Sequence, residues 1–194
     1  MAALKFIVKL FPEITIKSKP VRRKFVSHLA SNVRAVLKRV DPKVKVRQDW
    51  DRLVVTSQVP GEENRERMGE ILGRVSGIAL YLDVIEFPLG DFEDILQHAR
   101  AVYAPRLQGK TFAVRCKRAG RHDFRSIDVE RYVGAGLNKD CGAAGVKLVA
   151  PDIVVQMEIR NDLLYVVNAR HQGLGGYPAG SLDPVLSLIS GGFD

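Results

Sequence analysis

An α+β fold is what this sequence predicts, on three observations. Short runs with alternating apolar residues, the pattern of half-buried strands, are interleaved with longer runs whose apolar residues return every three or four positions. Up to residue 87 these runs come in the order strand, helix, strand, strand, helix, strand, and a second mixture of both kinds follows. Apolar residues make up 46% of the 194, enough for real cores and too many for a disordered chain.

The first strand is Leu4–Phe11, where Leu, Phe, Val and Leu alternate with Lys and Ile. Pro20 can open a helix in its first turn, and Phe25, Leu29, Val33, Val36 and Leu37 then recur at helical spacing. Val44–Arg47 and Leu53–Ser57 are short β-branched runs joined by Asp49-Trp50-Asp51-Arg52, which reads as a hairpin. Pro60-Gly61 punctuates, and Glu62–Val75 is helical, with acids in its first turn where the helix dipole favours them. Gly77 ends that helix, and Ile78–Phe87 is a strand. This order is the split βαβ, or ferredoxin-like, plan, with two helices on one face of an antiparallel sheet. The expected first domain covers residues 1–80.

The second domain is expected over residues 81–170. Asp91 caps a helix whose apolar face is Phe92, Ile95, Leu96, Ala99 and Tyr103, and Gly109 stops it. Thr111–Lys117 is a strand, Asp128–Asn138 a helix, and Ile153–Arg160 with Leu163–Ala169 a hairpin around Asn161-Asp162. Gly173–Gly180, GLGGYPAG, reads as a linker. The continuous apolar run Val185–Ile189 suits a strand buried on both faces, the opening of a third domain over residues 171–194.

Charge narrows the function classes. The net charge is +8, but it is unevenly spread. The balance is +10 over residues 1–50, −5 over 51–100, +6 over 101–150 and −3 over 151–194. Two basic blocks divided by an acidic one point to surfaces that face a polyanion. A merely solvated surface is the plain alternative. No apolar run is long enough to span a bilayer, and MAALKFIVKLFPEIT reads as a strand rather than a signal peptide. Two cysteines are too few for a disulfide framework or a zinc site, and a reducing, cytoplasmic setting is expected.

Three motifs carry chemistry. SGGFD, at Ser190–Asp194 after the apolar run, suits phosphate: glycines let backbone N–H groups curl around its oxygens, and an acid nearby can hold Mg²⁺. The spacing and lysine of a Walker loop are absent. Arg115, Lys117, Arg118, Arg121 and Arg125 crowd the passage from a strand to a helix capped near Ser126 or Asp128, with Phe124 among them. That composition fits phosphate contacts plus stacking on an exposed base, with His122 as a polar RNA contact or plain surface. Lys17, Lys19, Arg22, Arg23 and Lys24 stand at a helix start, where cations oppose the dipole and a bound anion would offset the cost. Cys116 and Cys141 are expected to be small buried or half-buried thiols, although Arg115 and Lys117 would lower the Cys116 pKa were it exposed.

KFIVKLFPEITIKS (5–18), KTFAVRCKRAGRHDFRSIDVERYVG (110–134), GLGGYPAG (173–180) and VLSLISGGFD (185–194) together resemble the tRNA 4-thiouridine synthetases, or tRNA sulfurtransferases. The resemblance runs through the whole chain in order. It implies an N-terminal ferredoxin-like domain, then a THUMP RNA-binding domain, then the first strand and truncated PP-loop of an ATP pyrophosphatase domain. It further implies a protein that uses ATP and Mg²⁺ to adenylate a uridine oxygen in tRNA. Sulfur relayed from a cysteine desulfurase then displaces AMP, and thiamine thiazole synthesis is a linked role. Leu188, Ile189, Ser190, Gly191, Gly192 and Asp194 match the family's ATP loop. Cys116 and Cys141 match none of its sulfur-carrying cysteines, so no catalytic residue is expected here. The chain reads as a tRNA-binding N-terminal fragment without thiolation activity of its own, with homodimerisation left open. A free-standing RNA-binding adaptor and a THUMP-containing tRNA methyltransferase are the alternatives.

Overall fold

The computed structural model describes residues 3–49 and 51–184. They divide into two compact units, one of residues up to Tyr81 together with those from His171 onward, the other of Leu82–Arg170.

The first unit follows the predicted plan. Its elements are β1 (Leu4–Leu10), α1 (Pro12–Thr15), α2 (Lys19–Leu37), β2 (Lys45–Gln48), β3 (Arg52–Ser57), α3 (Glu62–Gly73) and the opening of β4 (Ile78–Pro88). The strands lie in the order β2-β3-β1-β4. β1 and β3 pair antiparallel with Ile7 opposite Val54, and β2 and β3 pair antiparallel with Val46 opposite Val55. Strand alternation sends Leu4, Phe6, Val8 and Leu10 to one face. There they meet Phe25, Leu29 and Val33 of α2 and Met68 and Leu72 of α3 in one buried cluster. Truncating a fully buried Leu29 would cost about 2–5 kcal/mol.

Two details were not in the pattern. Pro12–Thr15 makes a single helical turn, too short to show a period. The exit of α2 is tied down by buried Asp41, which accepts from the Ser57 hydroxyl at 2.6 Å and from the Lys43 amide at 2.8 Å.

The second unit contains α4 (Phe92–Leu107), β5 (Thr111–Ala119), α5 (Ser126–Asp140), β6 (Gly145–Val146), β7 (Ile153–Arg160) and β8 (Leu163–Gln172) as far as Arg170. Their order is β8-β7-β5-β6. Asp91 caps α4 as expected: its carboxylate accepts from the Asp94 amide at 2.9 Å, and Asp94 accepts from the Asp91 amide at 3.2 Å. β5 and β7 run parallel through α5, with Arg115 opposite Gln156 and Lys117 opposite Glu158. β7 and β8 form the predicted hairpin, turning at Asn161, whose φ is +48°. Ile95, Leu96 and Tyr103 of α4 and Val129, Val133 and Leu137 of α5 cover Phe112, Val114, Val155 and Met157.

Residues 173–180, read from the sequence as a linker, instead take a bonded course along the first unit. Gly173 and Gly175 donate to the carbonyls of Ala79 and Ile78 at 2.9 and 2.7 Å. The Val185–Ile189 run lies outside the described residues.

Candidate nucleic-acid interface

The basic residues of the second unit divide by strand geometry. β5 alternates, so Val114 and Cys116 enter the core while Arg115 and Lys117 are exposed. Arg115 uses its guanidinium internally, donating from Nη2 to the Leu148 carbonyl at 2.8 Å. The Lys117 side chain makes no hydrogen bond or ion pair among the described residues.

Arg118 was read as a loop contact. The strand runs on to Ala119, and Arg118 is half-buried on it. Its Nη1 donates to the Gly120 carbonyl at 3.3 Å and meets His122 Nδ1 at 2.9 Å, and its guanidinium lies 5.9 Å from the Phe124 ring centroid. A guanidinium can only donate, so Nδ1 of His122 is the acceptor. The ring proton therefore sits on Nε2, which donates to the Asn161 carbonyl at 2.9 Å. Both nitrogens of His122 are thus occupied by the protein itself.

This latch leaves little room. Gly120 has φ +112°, which favours glycine, and a Cβ there would crowd Asn161, 2.8 Å from Oδ1 and 3.1 Å from its amide nitrogen. Phe124 packs edge-on against Phe92 at 5.2 Å, and Phe92 against Tyr132 at 5.5 Å, so Phe124 belongs to a small aromatic cluster rather than to an open platform.

Arg125, not Ser126 or Asp128, holds the N-cap position of α5. Asp128 reaches back to it, accepting from the Arg125 amide at 2.8 Å and from its guanidinium at 3.3 Å. These bonds hold the Asp128 carboxyl below its usual range. Arg121 is exposed and has no intramolecular partner among the described residues. Lys117 and Arg121 are therefore the two cations of this group that are unengaged and outward.

The first unit presents the other group. Lys17, Lys19, Arg23 and Lys24 are exposed and Arg22 is half-buried, at the entry to α2. α2 has no acid in its first turn and no side-chain cap from Ser18. Lys19, Arg22, Arg23, Val26, Gln48 and Asp49 line a cavity of about 270 Å³. Asp49, its one acid, is engaged by Arg47 and Arg52, each at 3.4 Å. Such a site suits anionic oxygens on electrostatic grounds.

Burial settles the cysteines. Cys116 is 7% exposed, and burial, helped by the Glu130 carboxylate, pushes its thiol up to about 12 despite nearby Arg118. Cys141 is half-buried, and burial raises its pKa as well. Among the described residues no cluster of His, Cys, Asp and Glu could hold a metal ion, and no helix is long and apolar enough to cross a membrane. Leu188, Ile189, Ser190, Gly191, Gly192 and Asp194 lie outside the described residues, so the phosphate-loop reading rests on sequence.

Both units match known families. Residues 5–81 match the model of the ThiI ferredoxin-like domain, and residues 90–167 that of the THUMP domain. The chain joins a ThiI ferredoxin-like domain to a THUMP domain. It is 55% identical over 191 residues to a tRNA sulfurtransferase of Pseudomonas aeruginosa (strain LESB58), and 53% identical to one of Azotobacter vinelandii. Each match takes in 98% of this chain and 40% of the relative, so the chain spans two fifths of the length of these proteins. The resemblance seen in the sequence is thereby borne out. Among solved structures, a 4-thiouridine synthetase–RNA complex with bound ATP matches 93% of this chain and 44% of its own, with TM-score 0.72 and 23% identity. PH1313 from Pyrococcus horikoshii matches 92% of this chain and 58% of its own, with TM-score 0.76 and 23% identity. At that identity the two structures speak for the fold.

The sequence reading missed Tyr177 as a neighbour of the basic segment and Asn161 as the anchor of the His122 latch. A lone aromatic among the glycines of GLGGYPAG was the available signal for the first.

Proposed function

We propose that this chain binds tRNA, as the RNA-holding part of an ATP-dependent tRNA sulfurtransferase that makes 4-thiouridine. The observation that carries the reading is the pairing of unengaged cations with fixed supports. Lys117 and Arg121 flank a latched turn in the THUMP domain, and Lys19 and Arg23 line a cavity in the ferredoxin-like domain. The supports are ordered before any phosphate backbone arrives, so only the cationic side chains remain to be fixed on binding. The similarity to tRNA sulfurtransferases along 98% of the chain supports tRNA as the polyanion and weighs against the adaptor and methyltransferase alternatives.

In this reading the sulfur chemistry belongs to the part of the relatives' length that this chain does not span. ATP, with Mg²⁺, supplies adenylation of the uridine oxygen; a cysteine desulfurase supplies the sulfur, and the protein works in the cytoplasm. A link to thiamine thiazole synthesis belongs to the same proposal. These 194 residues contribute affinity and orientation, and no catalytic group.

The test is a fluorescence titration of the 194-residue chain with intact tRNA and with an acceptor-stem hairpin, from low to moderate salt. Saturable binding that weakens steeply with salt is expected. Affinity that is absent, or indifferent to salt, would overturn the reading.

A further inference from the structure

We propose that Tyr177 is a positioning residue for RNA binding: it holds Lys17, at the entry to α2, where that lysine meets phosphate. The inference rests on the tRNA-binding reading and assigns part of it to GLGGYPAG, which that reading leaves unused.

The backbone on both sides of Tyr177 is anchored. Before it, Gly173 and Gly175 donate to Ala79 and Ile78, and Gly77 donates to the Gly175 carbonyl at 2.7 Å. A Cβ at Gly173 would stand 2.3 Å from the Ile78 oxygen, so this approach requires glycine. After it, the Ala179 amide donates to Ser76 Oγ at 3.2 Å, and Asn32 Nδ2 donates to the Ala179 carbonyl at 2.9 Å. The segment is a fixed strap.

From that strap the Tyr177 side chain reaches residues before, in and just after the basic segment. Its ring packs on Phe25 of α2, centroids 5.3 Å apart. Its hydroxyl donates to Glu13 Oε2 of α1 at 2.9 Å. Lys17 Nζ lies 5.7 Å from its ring centroid. Glu13 lies in α1, and Lys17 follows two residues after that helix ends. Tyr177 takes the acid with its hydroxyl and the ammonium with its ring face. The lysine is thereby ordered while the residue stays exposed to an incoming anion.

The test compares tRNA affinity of the unaltered chain with Lys17→Ala, Tyr177→Leu and the double variant. Leucine keeps apolar packing on Phe25 and removes the ring face and hydroxyl. Each single change is expected to weaken binding about threefold to tenfold, and the double no more than Lys17→Ala alone. Additive losses, or a Tyr177→Leu chain that binds as tightly as the unaltered one, would overturn the proposal. So would a Lys17→Ala chain of unchanged affinity. Loss of binding on Lys17→Ala but not on Tyr177→Leu sinks the positioning role alone; absence of tRNA binding by the unaltered chain sinks the tRNA reading itself. A measurement that needs no variant stands beside these. The Lys17 ε-methylene protons of the unaltered chain should carry an upfield ring-current shift in the NMR spectrum, and random-coil positions would overturn the proposal.

Discussion

Arg118→Ala should loosen the turn of the THUMP domain without removing a phosphate contact. The side chain makes a 2.9 Å contact to His122, a longer 3.3 Å bond to the Gly120 carbonyl and a 5.9 Å approach to the Phe124 ring. A hydrogen bond to a charged group is worth about 1.5–3 kcal/mol and a surface cation–π contact about 0.5–1 kcal/mol. The group is half-buried and one bond is long, so about 2 kcal/mol of local stability is the reasoned loss. At about 1.4 kcal/mol per factor of ten, local opening should become roughly 30-fold more frequent. The reporter is the Asn161 amide, which donates to the Ala119 carbonyl at 3.0 Å beside the latch. Native-state hydrogen exchange by NMR should show that amide exchanging tens of times faster. Amides deep in the β5–β7 ladder should keep their rates. Unchanged exchange at Asn161 would refute the latch. A fall of about one in the salt slope of tRNA affinity would show Arg118 to be a direct phosphate contact instead.

Three other outcomes follow from the same geometry. Lys117→Ala with Arg121→Ala should leave thermal stability within about 0.5 kcal/mol, since neither side chain is engaged, but reduce the tRNA salt slope by about 1.5–2; an unchanged slope removes them from the interface. Cys116, with its thiol pushed up to about 12, should resist alkylation at pH 8 until the chain is unfolded; rapid labelling in the native state would contradict its burial. The Asp128 carboxyl, lowered from 3.8 by its bonds to Arg125, is a depressed acid, so its contribution to the start of α5 is complete at neutral pH. That contribution is lost as acidification carries the pH below 3.8 and through the folded value; a side-chain carbon titration with its midpoint at or above 3.8 would refute the pairing.

Much of the fold was legible because it rests on periodicity. Phe25, Leu29 and Val33 return at helical spacing since they face one sheet, and Leu4, Phe6 and Val8 alternate since they cover one side of it. Asp91 was legible as a cap because its carboxylate acts within one turn of chain. Pro12–Thr15 and Gly145–Val146 escaped because one turn or two residues cannot show a period. GLGGYPAG read as a linker because glycine and proline signal irregular backbone, and composition does not say what that backbone touches.

The basic cluster shows where sequence stops. Composition alone identified Arg115, Lys117, Arg118, Arg121 and Arg125 as one group of like charges. The fold sorts them. Arg115 holds the Leu148 carbonyl, Arg118 the His122 latch and Arg125 the Asp128 carboxylate, leaving Lys117 and Arg121 turned outward. Element order, net charge and the resemblance to tRNA sulfurtransferases are properties of the chain in one dimension, so the sequence by itself determined them. Which cation is unengaged depends on partners far along the chain: Asn161 lies 39 residues beyond His122, and Tyr177 lies 164 beyond Glu13. Only the tertiary structure brings such groups within hydrogen-bond reach, and it alone decided which charges support the surface and which compose it.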